Sequence, residues 1–167
     1  MTNSKDEFSN IYNQYVDKIY RFIFLKVNSQ DITEDLTSET FSRCWKSFNG
    51  KSKNIDNIQA FLYKIARNLI TDHYRQKGKI QFVSTDDTPI LDNRTDIKEK
   101  AEDSSDFELV KTALTKINDD YQDIIIWHYL NDLSINEIAS MTNKSEGAVR
   151  VMLHRALGDL RNNIKEV

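Results

Sequence analysis

The strongest constraint on this chain is a helical repeat of apolar residues with almost nothing to interrupt it. From Asp6 to Val27, side chains at Phe8, Ile11, Tyr12, Tyr15, Val16, Ile19, Tyr20, Ile23 and Phe24 fall three or four positions apart. That spacing lines one face of an α-helix. No stretch alternates polar and apolar residues long enough to predict a strand, and no segment repeats at a fixed period. The 167 residues contain one Pro and four Gly, so helix breakers are scarce. A second helix is expected from near Asp31, where Asp31-Ile-Thr-Glu34 resembles a capping box, to the break at Asn49-Gly50. A third should be capped by Asp56, present Ile58, Phe61, Leu62, Ile65, Leu69, Ile70 and Tyr74, and stop at Gly78.

Between Lys79 and Asp103 the period is lost and the only Pro appears. From Asp86 to Glu108, nine acidic residues face three basic ones. This composition predicts a flexible acidic linker. Helical periodicity resumes at the capping-box pattern Ser105-Asp-Phe-Glu108, continues through Ile117, and is followed by a helix across Tyr121 to Leu130. The chain therefore divides into residues 1–79, a linker over 80–104, and residues 105–167. The expected class is all-α, two small helical domains joined by the linker.

The last part contains the sharpest local pattern. Ser134-Ile-Asn-Glu137 is a capping box that should open a helix with Ile135, Ile138 and Ala139 inward. Thr142-Asn-Lys144 is a turn, with Asn143 suited to a left-handed backbone. Ser145 can cap a longer helix that buries Val149, Leu153 and Leu157 and presents Arg150, Val151, His154 and Arg155. This is the organisation of a helix-turn-helix, whose second helix enters the major groove. An ordinary helical hairpin with a charged face is the alternative.

Charge supports a polyanionic partner. Residues 61–79 hold Lys64, Arg67, Arg75, Lys77 and Lys79 against Asp72, and residues 141–165 hold five basic residues against Glu146 and Asp159. Either stretch alone is readily a solvated helix face. Two of them, separated by an acidic connector, suggest two contacts with nucleic acid. Cys44 is the sole cysteine, so neither an internal disulfide nor a Cys-rich zinc site is expected. His73, His128 and His154 do not form metal-ligand spacings with carboxylates, and no nucleophile elbow or Gly-rich phosphate loop is present. No cofactor, metal or catalytic residue is expected. MTNSKDEFSN lacks the apolar run of a signal peptide, and runs such as Ile124–Trp127 are far shorter than the about 20 residues of a membrane span. A cytoplasmic protein without membrane insertion is expected.

Three segments together resemble the sigma-70 family of bacterial RNA polymerase sigma factors, and within it the extracytoplasmic-function (ECF) group. Leu133-Ser-Ile-Asn-Glu-Ile-Ala139, Ser145-Glu-Gly-Ala-Val-Arg150 and Leu153-His-Arg-Ala-Leu157 look like the family's C-terminal domain. Asp31-Ile-Thr-Glu-Asp-Leu-Thr-Ser-Glu-Thr-Phe41 followed by Trp45 looks like its polymerase-binding helix, and Ala60 to Arg75 like its promoter-melting helix. The resemblance implies a non-enzymatic factor that binds RNA polymerase core, opens the −10 element of promoter DNA with its N-terminal domain and reads the −35 element with its C-terminal domain. It also implies a linker threading the polymerase and an anti-sigma factor as a further partner.

Carried onto this sequence, the resemblance assigns core-polymerase binding to Asp35, Ser38, Glu39, Arg43 and Trp45. It assigns −10 contacts to Phe61, Tyr63, Lys64, Arg67, Asn68, Asp72, Tyr74, Arg75 and Lys77, with the loop from Gly50 to Asp56 as one wall of a pocket for a flipped base. It assigns −35 contacts to Lys144, Ser145, Arg150, Val151, His154 and Arg155. The sequence departs from the family pattern at Ser38, where Gln is usual, at Phe61, where Trp is frequent, and at Asn143, where the turn usually has Gly. The competing reading is a two-domain regulator that binds DNA alone. Such a regulator needs neither the docking helix nor the linker, and would favour a symmetric dimer on a palindrome.

Overall fold

The computed structural model describes residues 4–49, 57–81 and 105–165. Most of these residues are helical, with no strand among them. They fall into two compact units, residues 4–81 in one and 105–165 in the other. The linker expected over 80–104 lies outside the described residues beyond Gln81.

The N-terminal unit is a bundle of α1 (Ser4–Val27), α2 (Gln30–Asn49) and α3 (Ile58–Gln81), each packed on the other two. α1 ends where Asn28 turns left-handed (φ 57°) and its N–H donates to the Phe24 carbonyl at 2.9 Å. Asn accepts this conformation at lower cost than most residues. Ser29 then starts α2: its Oγ accepts from the Ile32 N–H at 3.4 Å and its carbonyl from the Thr33 N–H at 2.9 Å. The capping box expected at Asp31–Glu34 does not form, because the helix begins earlier. Glu34 accepts instead from the Gln30 amide at 3.1 Å.

Asn57 caps α3, its Oδ1 accepting from the Ala60 N–H at 3.0 Å; Asp56, the expected cap, lies outside the described residues. Gly78 does not stop the helix, which runs on to Gln81. A glycine ends a helix by turning left-handed, and no described glycine has a positive φ.

The core of this unit joins Ile19, Phe22 and Ile23 of α1, Phe41 and Cys44 of α2, and Leu62, Tyr63, Ala66, Leu69 and Ile70 of α3. α2 also buries Thr33, Thr37 and Thr40. The Thr33 and Thr40 hydroxyls donate one turn back to the carbonyls of Ser29 (2.6 Å) and Leu36 (2.7 Å), which removes the cost of burying them.

The C-terminal unit comprises α4 (Ser105–Thr115), α5 (Asp119–Ile125), a π-helical turn (Ile126–Leu130), α6 (Ile135–Thr142) and α7 (Glu146–Lys165). α7 packs against α4, α5 and α6. Its Val149, Leu153, Ala156 and Leu160 are buried, whereas Leu157, an expected core residue, is only half-buried. The helix expected from Tyr121 begins two residues earlier, capped by Asn118, whose side chain accepts from the Tyr121 N–H at 2.9 Å. Ile124, Ile125, Ile126 and Trp127 are all buried, the mark of a segment enclosed on every side. The π turn closes with Asn131 N–H to the Ile126 carbonyl (2.9 Å), and the His128 Nδ1 meets the Leu133 carbonyl at 2.8 Å.

Candidate functional site

α6 and α7 are held as a helix-turn-helix by local bonds that the sequence encodes. The Ser134 Oγ accepts from the Glu137 N–H at 3.0 Å, and the Glu137 carboxylate accepts from the Ser134 N–H at 3.1 Å. Asn143 is left-handed (φ 56°, ψ 41°), and its N–H and that of Lys144 both donate to the Ala139 carbonyl. The Ser145 Oγ accepts from the Ala148 N–H at 3.1 Å. Across the turn, the Asn136 amide donates to Glu146 at 3.0 Å. Ile138 and Val149 are fully buried between these pieces, so the outward face of α7 is fixed by packing on its inward face.

All six residues expected to read the −35 element are exposed: Lys144, Ser145, Arg150, Val151, His154 and Arg155. Pairs four apart, Arg150 with His154 and Val151 with Arg155, share one side of α7. Val151 is 50% exposed, an apolar group open to solvent on a polar face. The cations are not bare. Arg150 lies 3.6 Å from Glu146, and the Lys144 Nζ lies 3.8 Å from the Met152 sulfur. Both contacts are exposed and easily exchanged for a phosphate or a base edge.

Beside this face is an open concavity of about 640 Å³. Lys144 lines it from the turn, Val151 and Arg155 from α7, and Asp119, Asp120 and Tyr121 from the first turn of α5. Asp119 and Asp120 precede the helix start expected at Tyr121. The Asn-Asp-Asp run, with a capping residue followed by first-turn acids, was the signal that placed them.

α3 carries the second expected surface. Lys64, Asn68, Asp72 and Arg75 are exposed at spacings of four, four and three, so they form one stripe. Phe61 is half-buried seven residues before Asn68 and belongs to the same side. Arg67 and Lys77 are half-buried at its margins. Two expected contacts do not belong to this stripe. Tyr63 is 1% exposed, its ring edge-on to Phe22 with centroids 5.3 Å apart. It is a core residue, because position 63 faces away from the Asn68 side of the helix. The Tyr74 ring is exposed, but its hydroxyl donates to the Lys26 carbonyl in the last turn of α1. Tyr74 therefore ties α3 to α1. Burial and the nearby Lys77 cation lower the pKa of His73, which lies beside this stripe. The Gly50–Asp56 loop lies outside the described residues.

The third surface is on α2. Asp35, Glu39 and Arg43 follow one another at four-residue intervals, and the Glu39–Arg43 pair closes at 2.9 Å. Ser38 is exposed next to them. Trp45 is only half-buried, but its ring packs on Phe8 at a centroid distance of 4.9 Å. One side of the indole is thus occupied by the fold.

Among the described residues there is no group of three or more His, Cys, Asp or Glu side chains able to hold a metal ion. No described helix is long and apolar enough to cross a membrane.

Two family models match the chain: Sigma-70 region 2 over residues 11–80 and Sigma-70, region 4 over residues 107–160. The ECF RNA polymerase sigma factor BldN of Streptomyces coelicolor is 33% identical over 159 residues. That match takes in 93% of this chain and 59% of the relative, so the chain spans about three fifths of BldN's length. The RNA polymerase sigma factor YlaC of Bacillus subtilis is 27% identical, with 96% of this chain and 93% of YlaC covered. In solved structures, the fold is similar to that of the sigma factor RpoE of Bartonella quintana, crystallised with the anti-sigma factor NepR. The TM-score is 0.69 at 20% identity, over 95% of this chain and 97% of that one. Region 2 maps onto the three-helix bundle and region 4 onto the helix-turn-helix unit, and the chain belongs to the sigma-70 family as a sigma factor of the ECF type.

Proposed function

We propose that this sigma factor binds RNA polymerase core through α2, opens promoter DNA with α3 and reads the upstream promoter element with α7. The observation that carries the proposal is the separation of three outward faces, each on its own helix and each of different chemistry. Asp35, Ser38, Glu39 and Arg43 offer carboxylates and a guanidinium at helical spacing, suited to a charged partner helix. Lys64, Arg67 and Arg75 supply phosphate contacts around Asn68, which can hydrogen-bond an unstacked base, with Phe61 as an aromatic platform. Arg150 and Arg155 reach guanine edges or phosphates, and Val151 meets a thymine methyl.

On this reading residues 1–79 and 105–167 are the functional domains and 80–104 the tether between them. The protein works in the cytoplasm, where polymerase and promoters are, and has no catalysis of its own. The RpoE structure holds the anti-sigma factor NepR, which supports an anti-sigma protein as a partner here too.

The test is binding of the labelled full chain to bacterial core polymerase, with the primary sigma factor as competitor. Nanomolar, competitive binding is expected. Asp35→Lys with Glu39→Lys should abolish it while leaving the fold intact, because the exposed Glu39–Arg43 pair contributes about 0.5 kcal/mol or less. Normal core binding by the double variant would reject the α2 assignment. Absence of any core binding by the parent chain would favour a regulator that binds DNA alone.

A further inference from the structure

The C-terminal unit is assigned to DNA, yet residues 105–167 hold ten acidic residues against seven basic ones. A module that binds a polyanion through non-specific attraction is expected to be strongly basic. The acids are not all remote from the reading face. Asp119 and Asp120 sit in the wall of the concavity that Lys144 lines from the turn and Val151 and Arg155 from α7. Both carboxylates are exposed, and they occupy the first turn of α5 behind the Asn118 cap. Glu146 adds a third carboxylate, 3.6 Å from Arg150 on the reading helix itself.

We propose that Asp119 and Asp120 determine specificity by repelling the phosphate backbone of DNA that is not seated on the correct sequence. This rests on α7 being the DNA-reading helix. A duplex docked loosely over the concavity brings phosphates within about one Debye length, roughly 8 Å at physiological salt, of two fixed negative charges. The cost falls on a duplex docked out of register. One whose base edges engage Arg150 and Arg155 is held in a single register clear of the two carboxylates, so the acids widen the gap between right and wrong sites by disfavouring the wrong ones.

The experiment compares the full chain with Asp119→Asn/Asp120→Asn and with the charge-keeping Asp119→Glu/Asp120→Glu. Binding to a random-sequence duplex and to a duplex selected by the polymerase holoenzyme from a random library is measured by fluorescence anisotropy over graded KCl. The Asn pair should bind random duplex about three- to tenfold more tightly at low salt, with a steeper salt dependence, and gain less on the selected duplex. The Glu pair should behave as the parent chain. Equal gains on both duplexes, or no gain on either, would overturn the proposal. Tighter random binding by the Glu pair would overturn it as well, since its cause would then be shape and not charge. Arg150→Ala separates the two ideas: if it leaves binding to the selected duplex unchanged, α7 is not the reading helix, whatever the aspartates do. Circular dichroism melting of each variant confirms that it is folded before binding is scored.

Discussion

The turn between α6 and α7 gives a quantitative test of how the reading helix is held. Asn143 has φ 56° and ψ 41°, and its exposed side chain has little packing to lose. An L-residue in the left-handed region costs about 1–2 kcal/mol, with Asn the mildest case. Asn143→Ala should therefore destabilise the C-terminal unit by about 1 kcal/mol. Asn143→Val should cost more, because branching at Cβ crowds the carbonyl further. Asn143→Gly should stay within about 0.5 kcal/mol of the parent, since its freedom in this conformation is offset by greater entropy in the unfolded chain. For a unit of this size, 1 kcal/mol lowers Tm by about 4–8 °C. The chain has two tryptophans, Trp45 in the N-terminal unit and the buried Trp127 in the C-terminal unit. In a Trp45→Phe background, Trp127 fluorescence follows the C-terminal unit alone. The order Gly, Asn, Ala, Val in falling stability is expected. An Ala variant as stable as the parent, or a Gly variant less stable than Ala, would refute the argument that backbone conformation selects Asn here.

Tyr63 and Lys64 are neighbours with opposite expected behaviour. Tyr63→Ala removes a ring packed on Phe22 and should cost about 3–5 kcal/mol, whereas Lys64→Ala should change stability by less than about 0.5 kcal/mol and weaken only DNA binding; urea melts of the two check this. Cys44 is fully buried, and burial pushes its thiol up to about 11, so it should resist maleimide at pH 8 until the N-terminal unit is unfolded. His73 has its pKa lowered by burial first and by Lys77 second, so the folded chain binds fewer protons than the unfolded chain below about pH 6.5. Its contribution is present above that pH and lost as the pH falls toward the lower folded value. The urea midpoint should drop as the pH falls below about 6.5, and His73→Asn should flatten that slope.

The all-helical class, the two-part organisation and the helix-turn-helix were legible in the sequence, because each rests on local rules. Apolar spacing of three and four, the Ser134–Glu137 capping box, Asn143 at the turn and Ser145 at the next cap all act within a few residues, and the structure has each of them. Local rules leave the start of α2 open, because Ser29 and Asp31 are both capable caps, and the left-handed Asn28 precedes Ser29. Gly78 lies within α3, because a glycine only permits a helix end and does not impose one.

What local rules could not settle is which side of a helix faces the core. Tyr63, Lys64 and Tyr74 belong to one polar and aromatic pattern, and all three suit a DNA contact by residue type. Packing against Phe22 puts Tyr63 inside, and a bond to Lys26, nearly fifty residues earlier in the chain, engages Tyr74. Asp119 and Asp120 likewise stand 24 or more residues from Lys144 and Arg155 and share a concavity with them only because α7 packs across α5. The sequence by itself determined the helices, their caps and the turn, since those depend on neighbours along the chain. The tertiary structure alone decided which charges and rings share a surface, since that depends on how the apolar faces of distant helices meet.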